Sequence, residues 1–169
     1  MLVLATPRLD LIAATARLHT LELEDRVAFA EALDSEVDPA WPPGEYDADA
    51  IAFFRDQLAA HPERVGWLSY YVRLREGACL VGAAGYFGPP EQGQVEIGYS
   101  LLEAHQGKGY ATEVVLALDA RARSQGVRRV IAHTAEVNAP SQRVLERCGF
   151  VREGPGRGAG SLRYGSSTA

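Results

Sequence analysis

With 169 residues, 47% of them hydrophobic and 23% charged, the chain has the size and composition of one globular domain rather than of a disordered or fibrous protein. A formal net charge of −5, with both signs mixed along the sequence, argues against nucleic acid as a partner, since phosphate-backbone binding calls on a basic patch. Cys79 and Cys148 stand alone without metal-ligand spacing, no apolar run approaches the roughly 20 residues of a bilayer span, and Arg8 and Asp10 come too early for a secretory signal, so a cytoplasmic protein with no metal and no membrane contact is expected.

Leu9–Ala13 reads as a first strand and Thr15–Leu33 as a helix. Asp34–Asp49 carries Trp41-Pro42-Pro43-Gly44 among acidic residues and should be irregular, because proline fixes φ and removes an amide donor. Asp47 or Asp49 caps a second helix with Ile51, Phe54, Leu58 and Ala59 at helical spacing. Trp67–Leu74 and Cys79–Phe87 read as two strands joined by a Glu76-Gly77 turn, and Gly88–Gly93 turns the chain into a strand over Gln94–Leu102. The pattern then becomes strand–helix–strand. A helix over Ala111–Arg123 stops near Gly126, and Arg129–Thr134 should run parallel to Gln94–Leu102. A short helix over Pro140–Arg147 follows, with late strands at Phe150–Arg152 and Ser161–Tyr164 and a mobile Gly/Ser-rich tail drawn from about residue 154. The expected class is α+β: one domain over residues 1–169, built on a mixed, mostly antiparallel twisted sheet flanked by helices.

The segment with chemistry in it is Gln106-Gly107-Lys108-Gly109-Tyr110-Ala111-Thr112, between an apparent strand and an apparent helix. Glycines there let the backbone approach a ligand, and the first-turn N–H groups of the helix, aided by its dipole, suit phosphate oxygens. A P-loop needs Gly-Lys-Ser/Thr, which is absent. A dinucleotide fingerprint would lack its last glycine, because Thr112 stands there, although Glu136 follows the next strand as an acidic residue should.

The run Gln106 to Ala111 resembles the acyl-CoA signature Gln/Arg-x-x-Gly-x-Gly/Ala of the GNAT superfamily of N-acyltransferases. Glu96-Ile97-Gly98-Tyr99 is similar to the strand that precedes that signature, and Asn138-Ala139-Pro140-Ser141 through Cys148-Gly149-Phe150 to the family's Asn-x-x-Ser…Gly-Phe element. Thr6-Pro7-Arg8-Leu9-Asp10-Leu11 is similar to the opening of the ribosomal-protein N-terminal acetyltransferase (Rim-type) branch. The resemblance implies the GNAT fold, with the parallel unit splayed to admit acetyl-CoA as co-substrate. It places Leu101, Leu102, Gln106, Gly107, Lys108, Gly109, Tyr110, Ala111, Thr112, Asn138 and Ser141 along that ligand. It also implies direct attack by a primary amine, with a protein N-terminal α-amine as acceptor. A small amine such as an aminoglycoside-like antibiotic, a non-catalytic acyl-CoA sensor, and a nicotinamide-dependent oxidoreductase are the alternatives, and a homodimer is compatible with all of them.

Glu96 is the candidate general base, and a strand glutamate in a salt bridge is the plain alternative. Ser141 is the candidate proton donor to the thiolate. Asn138 also suits an N-cap. Many members of the family carry a tyrosine seven residues after that Asn, where this chain has Leu145. His105 and His133 lack any triad or metal spacing and are expected to be surface or packing residues. The acceptor's wall is expected in the acidic, aromatic segment Glu36–Tyr46, through Trp41, Glu45 and Tyr46, although the same aromatics would also serve to pack it onto the core.

Overall fold

In the computed structural model, which describes residues 1–167, hairpins build the first half of the sheet. β1 (Val3–Ala5) pairs with β2 (Leu9–Ala13), β2 with β4 (Ser69–Leu74), β4 with β5 (Cys79–Tyr86) and β5 with β6 (Gln94–Leu101), all antiparallel. The chain then returns through α4 (Tyr110–Ser124) to β7 (Arg129–Ala135), which lies parallel to β6. Parallel neighbours need such a crossover, because a tight turn can only reverse the chain. Gly126, at φ +84°, takes the left-handed position that ends α4. After α5 (Ala139–Arg147), β9 (Ser161–Ser167) pairs antiparallel with β7, and β8 (Val151–Pro155) covers its outer side. The order β1-β2-β4-β5-β6-β7-β9-β8 is the mixed, mostly antiparallel sheet expected.

Each face of this sheet holds its own core. Val95 and Ile97 of β6 gather with Val114, Val115 and Leu118 of α4 and Leu145 of α5. On the other face, Ile12, Tyr71, Leu80 and Ala83 meet Leu18 of α1 (Ala16–Glu24), Phe29 of α2 (Arg26–Ala32) and Ile51 of α3 (Ala48–Ala60). The alternation of β6 sends Glu96, Gly98 and Ser100 away from the α4 side, toward the face that carries α1 to α3.

Four elements differ from expectation. The strand read as the first, Leu9–Ala13, is preceded by β1, which pairs along it. The helix over Thr15–Leu33 is two helices, because Asp25 ends α1 and its carboxylate accepts the Ala28 amide at 3.0 Å to start α2. The segment Asp34–Asp49 contains β3 (Glu36–Val37), a two-residue parallel pairing with β5. Part of the expected Gly/Ser tail is β9, a seven-residue strand between β7 and β8. Its glycines fall mostly in the 156–160 connection. Residues 168–169 of that tail lie outside the described residues.

Candidate active site

β6 and β7 are paired only from Gln94–Ile97 against Arg129–Ala132. Beyond that rung Gly98–Leu101 stays with β5 and His133–Ala135 with β9. The two strands part, and the expected splay is present. A cleft of about 400 Å³ opens at the split, walled by Tyr99 and Leu101 of β6, the turn into α4, and Asn138, Ser141 and Val144 around α5.

The turn is shaped by Gly107 and Gly109, at φ +74° and +82°, a region costly to residues with a Cβ. Gly109 is the N-cap of α4 and offers no side chain to its amides, so the first-turn N–H groups are left for a ligand. Gln106 Nε2 donates to the Leu101 carbonyl at 3.1 Å and folds the turn back onto β6. The chain's start reinforces this site. Thr6 Oγ1 and the Arg8 amide donate to Glu113 Oε1 at 2.7 and 3.0 Å, and Arg8 Nε to Glu113 Oε2 at 2.5 Å. The Arg8 guanidinium lies 4.5 Å from the Tyr110 ring centroid, and a Cβ at Gly109 would come within 3.1 Å of it. The Arg8–Glu113 ion pair thus stands beside the turn. Arg143 and Arg147 of α5 line the same cleft, a contribution that helical spacing of two arginines signals only once α5 is known to border it.

Asn138 Oδ1 accepts the Ser141 amide at 3.1 Å, so Asn138 is the N-cap of α5 and also lines the cleft. The Ser141 hydroxyl lies 2.9 Å from that of Tyr99. Burial pushes the Tyr99 hydroxyl up to about 12 against the pull of that hydrogen bond, so it keeps its proton at ordinary pH. Tyr99 was legible only as a strand residue, because the chain separation of 42 residues hides its partner. Leu145 is fully buried core. Two expected cofactor residues stand apart from the cleft wall. Leu102 places its side chain in the second core and donates its amide to Val81 O at 2.9 Å. Lys108 is exposed on the turn.

On the opposite face of β6, Glu96 has both carboxylate oxygens engaged. His133 Nδ1 lies 2.5 Å from Oε1, and Arg157 of the 156–160 connection donates to Oε2. His133 is therefore neither free surface nor packing alone. The sequence signal was a polar residue interrupting the apolar strand Val130-Ile131-Ala132, as Glu96 interrupts Val95 and Ile97. Phe87 flanks this face, since a Cβ at Gly98 would meet its ring at 2.9 Å. Ser100 Oγ donates to Pro43 O at 3.2 Å, bringing the Trp41–Glu45 segment to the edge of the site. Trp41 and Tyr46 themselves turn inward. Trp41 Nε1 and the Tyr46 hydroxyl both donate to Glu22 at 2.9 Å, and both rings are buried in the second core rather than presented to the open face. Glu45 is exposed, and Asp47 is occupied in capping α3 through the Ala50 amide.

The sequence matches the acetyltransferase (GNAT) domain family over residues 16–151. The uncharacterized N-acetyltransferase YjdG of Bacillus subtilis (strain 168) is 31% identical over 145 residues, covering 80% of this chain and 85% of that protein. Among solved structures, an acetyltransferase from Agrobacterium tumefaciens str. C58 superposes with a TM-score of 0.70 at 23% identity, over 99% of this chain and 95% of that one. RimL, a ribosomal L7/L12 α-N-protein acetyltransferase solved in complex with coenzyme A, superposes with a TM-score of 0.69 at 22% identity over 98% of each chain.

Proposed function

The chain belongs to the acetyltransferase (GNAT) family as an N-acetyltransferase, and from that premise we propose that it uses acetyl-CoA to acetylate a primary α-amine at a protein or peptide N-terminus. The observation that carries the reading is the cleft at the β6–β7 split, where the Gln106–Thr112 turn and Ser141 converge. The first-turn amides of α4 hold the pyrophosphate, with the Arg8–Glu113 ion pair beside them. The pantetheine arm runs along Leu101 and past Asn138 toward Ser141. The acceptor enters from the face of Glu96, Gly98 and Ser100, where Glu96 anchors the acid–base chemistry.

The amine nitrogen attacks the thioester carbonyl carbon directly, the adduct collapses, and the C–S electron pair leaves on sulfur. Ser141, backed by the Tyr99 hydroxyl, delivers a proton to that thiolate. No covalent acyl-enzyme is required, because among the described residues lining the cleft none is an activated nucleophile. An α-amine suits such a site, since its pKa of about 8 lies well below the roughly 10.4 of lysine, so less work is needed to free its lone pair. RimL, with the same fold, is named for α-N-protein acetylation, which supports this choice.

Thermal melts and an acceptor panel test the reading. Coenzyme A at 100 times its Kd should stabilise the protein by about 2.7 kcal/mol, while NADH and ATP leave the melt unchanged. Gly109→Asp should abolish the effect, because it places a side chain and a negative charge in the cradle. Acetyl transfer should be faster to peptides with free N-termini than to N-blocked lysine peptides or aminoglycosides. A preference for either of the latter replaces the α-amine assignment.

A further inference from the structure

We propose that His133 takes the proton from the acceptor amine and that Glu96 acts by holding His133 in the tautomer that can do so; this rests on the N-acetyltransferase reading above. An ionised carboxylate can only accept hydrogen bonds, so the 2.5 Å contact to Glu96 Oε1 puts the imidazole hydrogen on Nδ1. Nε2 then carries the lone pair, and it has no hydrogen-bond partner among the described residues. Glu96 is less suited to the transfer, because its second oxygen is occupied by Arg157. The carboxylate–imidazole pair has the logic of a base oriented and tautomerised by an acid residue behind it.

Register places the imidazole well. Ala132 against Ile97 is the last paired rung of β6 and β7, so His133 is the first β7 residue past the split and Glu96 lies one residue behind it. Glycine at position 98 leaves the adjacent stretch of β6 without a side chain of its own. The side chains of His133 and Glu96 are 16% and 14% exposed, half-shielded yet reachable. The charged groups facing the imidazole are few. They are Glu96 from β6, Arg157 from the 156–160 connection, and Arg163, its cross-strand partner on β9. Arg163 is itself engaged by Glu153 of β8, which also holds Arg129 of β7.

The step balances without a co-reactant. Nε2 removes one proton from the ammonium form of the acceptor, giving a free amine and an imidazolium. Nitrogen bonds to the carbonyl carbon and the C–S bond breaks. The nitrogen sheds a second proton as the adduct collapses, sulfur gains one through Ser141, and the imidazolium returns its proton to solvent. The net products are amide, thiol and one released proton.

Rates with the acceptor found in the panel, coenzyme A melts and imidazole ¹⁵N spectra together test this. His133→Ala should lower kcat by about 100-fold or more, leave an acidic limb of the kcat/KM pH profile set by the acceptor amine's own pKa of about 8, and regain part of its rate on addition of free imidazole. Its coenzyme A melt shift should stay. Glu96→Gln should lose less, and its His133 spectrum should change from a fixed Nδ1–H tautomer to a mixture. Wild-type rates in His133→Ala, or a loss that imidazole does not repair, would return the base to Glu96 and overturn the proposal. A wild-type spectrum with the hydrogen on Nε2 overturns it even without an acceptor. Failure of coenzyme A to stabilise the wild-type protein would instead count against the acetyl-CoA site, since His133 has no part in that binding.

Discussion

Tyr99 and Ser141 come from elements that meet only at the cleft, β6 and the first turn of α5, and their hydroxyls are 2.9 Å apart. The tyrosine's raised pKa keeps it a donor at neutral pH, and in the proposed mechanism the serine passes the proton on to the sulfur. If they act as one relay, Ser141→Ala and Tyr99→Phe should lower kcat similarly, and the double variant should be no slower than either single one. A thiolate is a fair leaving group, so the loss is expected below the roughly 100-fold that a positioned acid or base contributes. Steady-state thiol release checks this, with KM for acetyl-CoA unchanged. Additive losses would separate the two residues. Asn138 offers the contrasting case: its cap bond is to the Ser141 amide, so Asn138→Ala should cost about 1 kcal/mol of stability, read from the melt.

At the scale of elements, the segment between α2 and α3 is fastened from within. Glu22 of α1, with a side chain only 2% exposed, accepts from Trp41 Nε1, from the hydroxyls of Tyr46 and Tyr71, and from His19 Nδ1. His19 continues the chain of contacts to Ser69 Oγ at 2.6 Å. Burial first, and neighbouring charge second, holds the hydroxyls of Tyr46 and Tyr71 protonated well beyond the ordinary range, so they remain donors. Glu22→Ala would leave these donors buried without their acceptor and should cost about 3 kcal/mol or more, since each buried polar group left unsatisfied costs about 1–3 kcal/mol. Equilibrium denaturation measures it, and a loss under 1 kcal/mol would mean that water replaces the carboxylate. The aromatics of this segment thus serve as scaffold, and under the proposed function exposed Glu45 is the acidic contact it offers an incoming ammonium. Glu45→Gln should raise KM for the acceptor while KM for acetyl-CoA stays fixed; if neither moves, the acceptor passes elsewhere.

Across the whole molecule, what could be read from sequence was what local pattern encodes. β6 announces itself by alternation and α4 by helical repeat, β4 and β5 as apolar runs bounded by the Glu76-Gly77 and Gly88–Gly93 turns, and the glycines of the α4 turn mark their own backbone geometry. The inward turn of Trp41 depends on Glu22, 19 residues earlier, and the Glu96–His133 contact joins residues 37 apart across the β6–α4–β7 crossover, so neither has a local signature. β9 reads from sequence only over Ser161–Tyr164, and its extension to Ser167 comes from pairing with β7. The same long-range contacts set the response to acid. Asp10 on β2 meets Arg73 of β4 at 3.1 Å and Arg75 just beyond it at 3.0 Å, while Glu113 joins α4 to Thr6 and Arg8. Burial would raise both carboxyls, but these partners outweigh it and hold each below its ordinary value, 3.8 for Asp10 and 4.5 for Glu113. A group depressed in the folded state binds protons more readily when unfolded, so its stabilisation is full above the ordinary value and fades as pH falls through the lower, folded one. Melts should therefore weaken as pH drops below about 4. Asp10→Asn and Glu113→Gln should each be less stable at pH 7 and should each lose less between pH 7 and pH 3 than the wild-type protein, because the amide that replaces the carboxyl does not titrate. Parallel curves for variant and wild type would show that these ion pairs do not carry the acid response and that carboxylates elsewhere do.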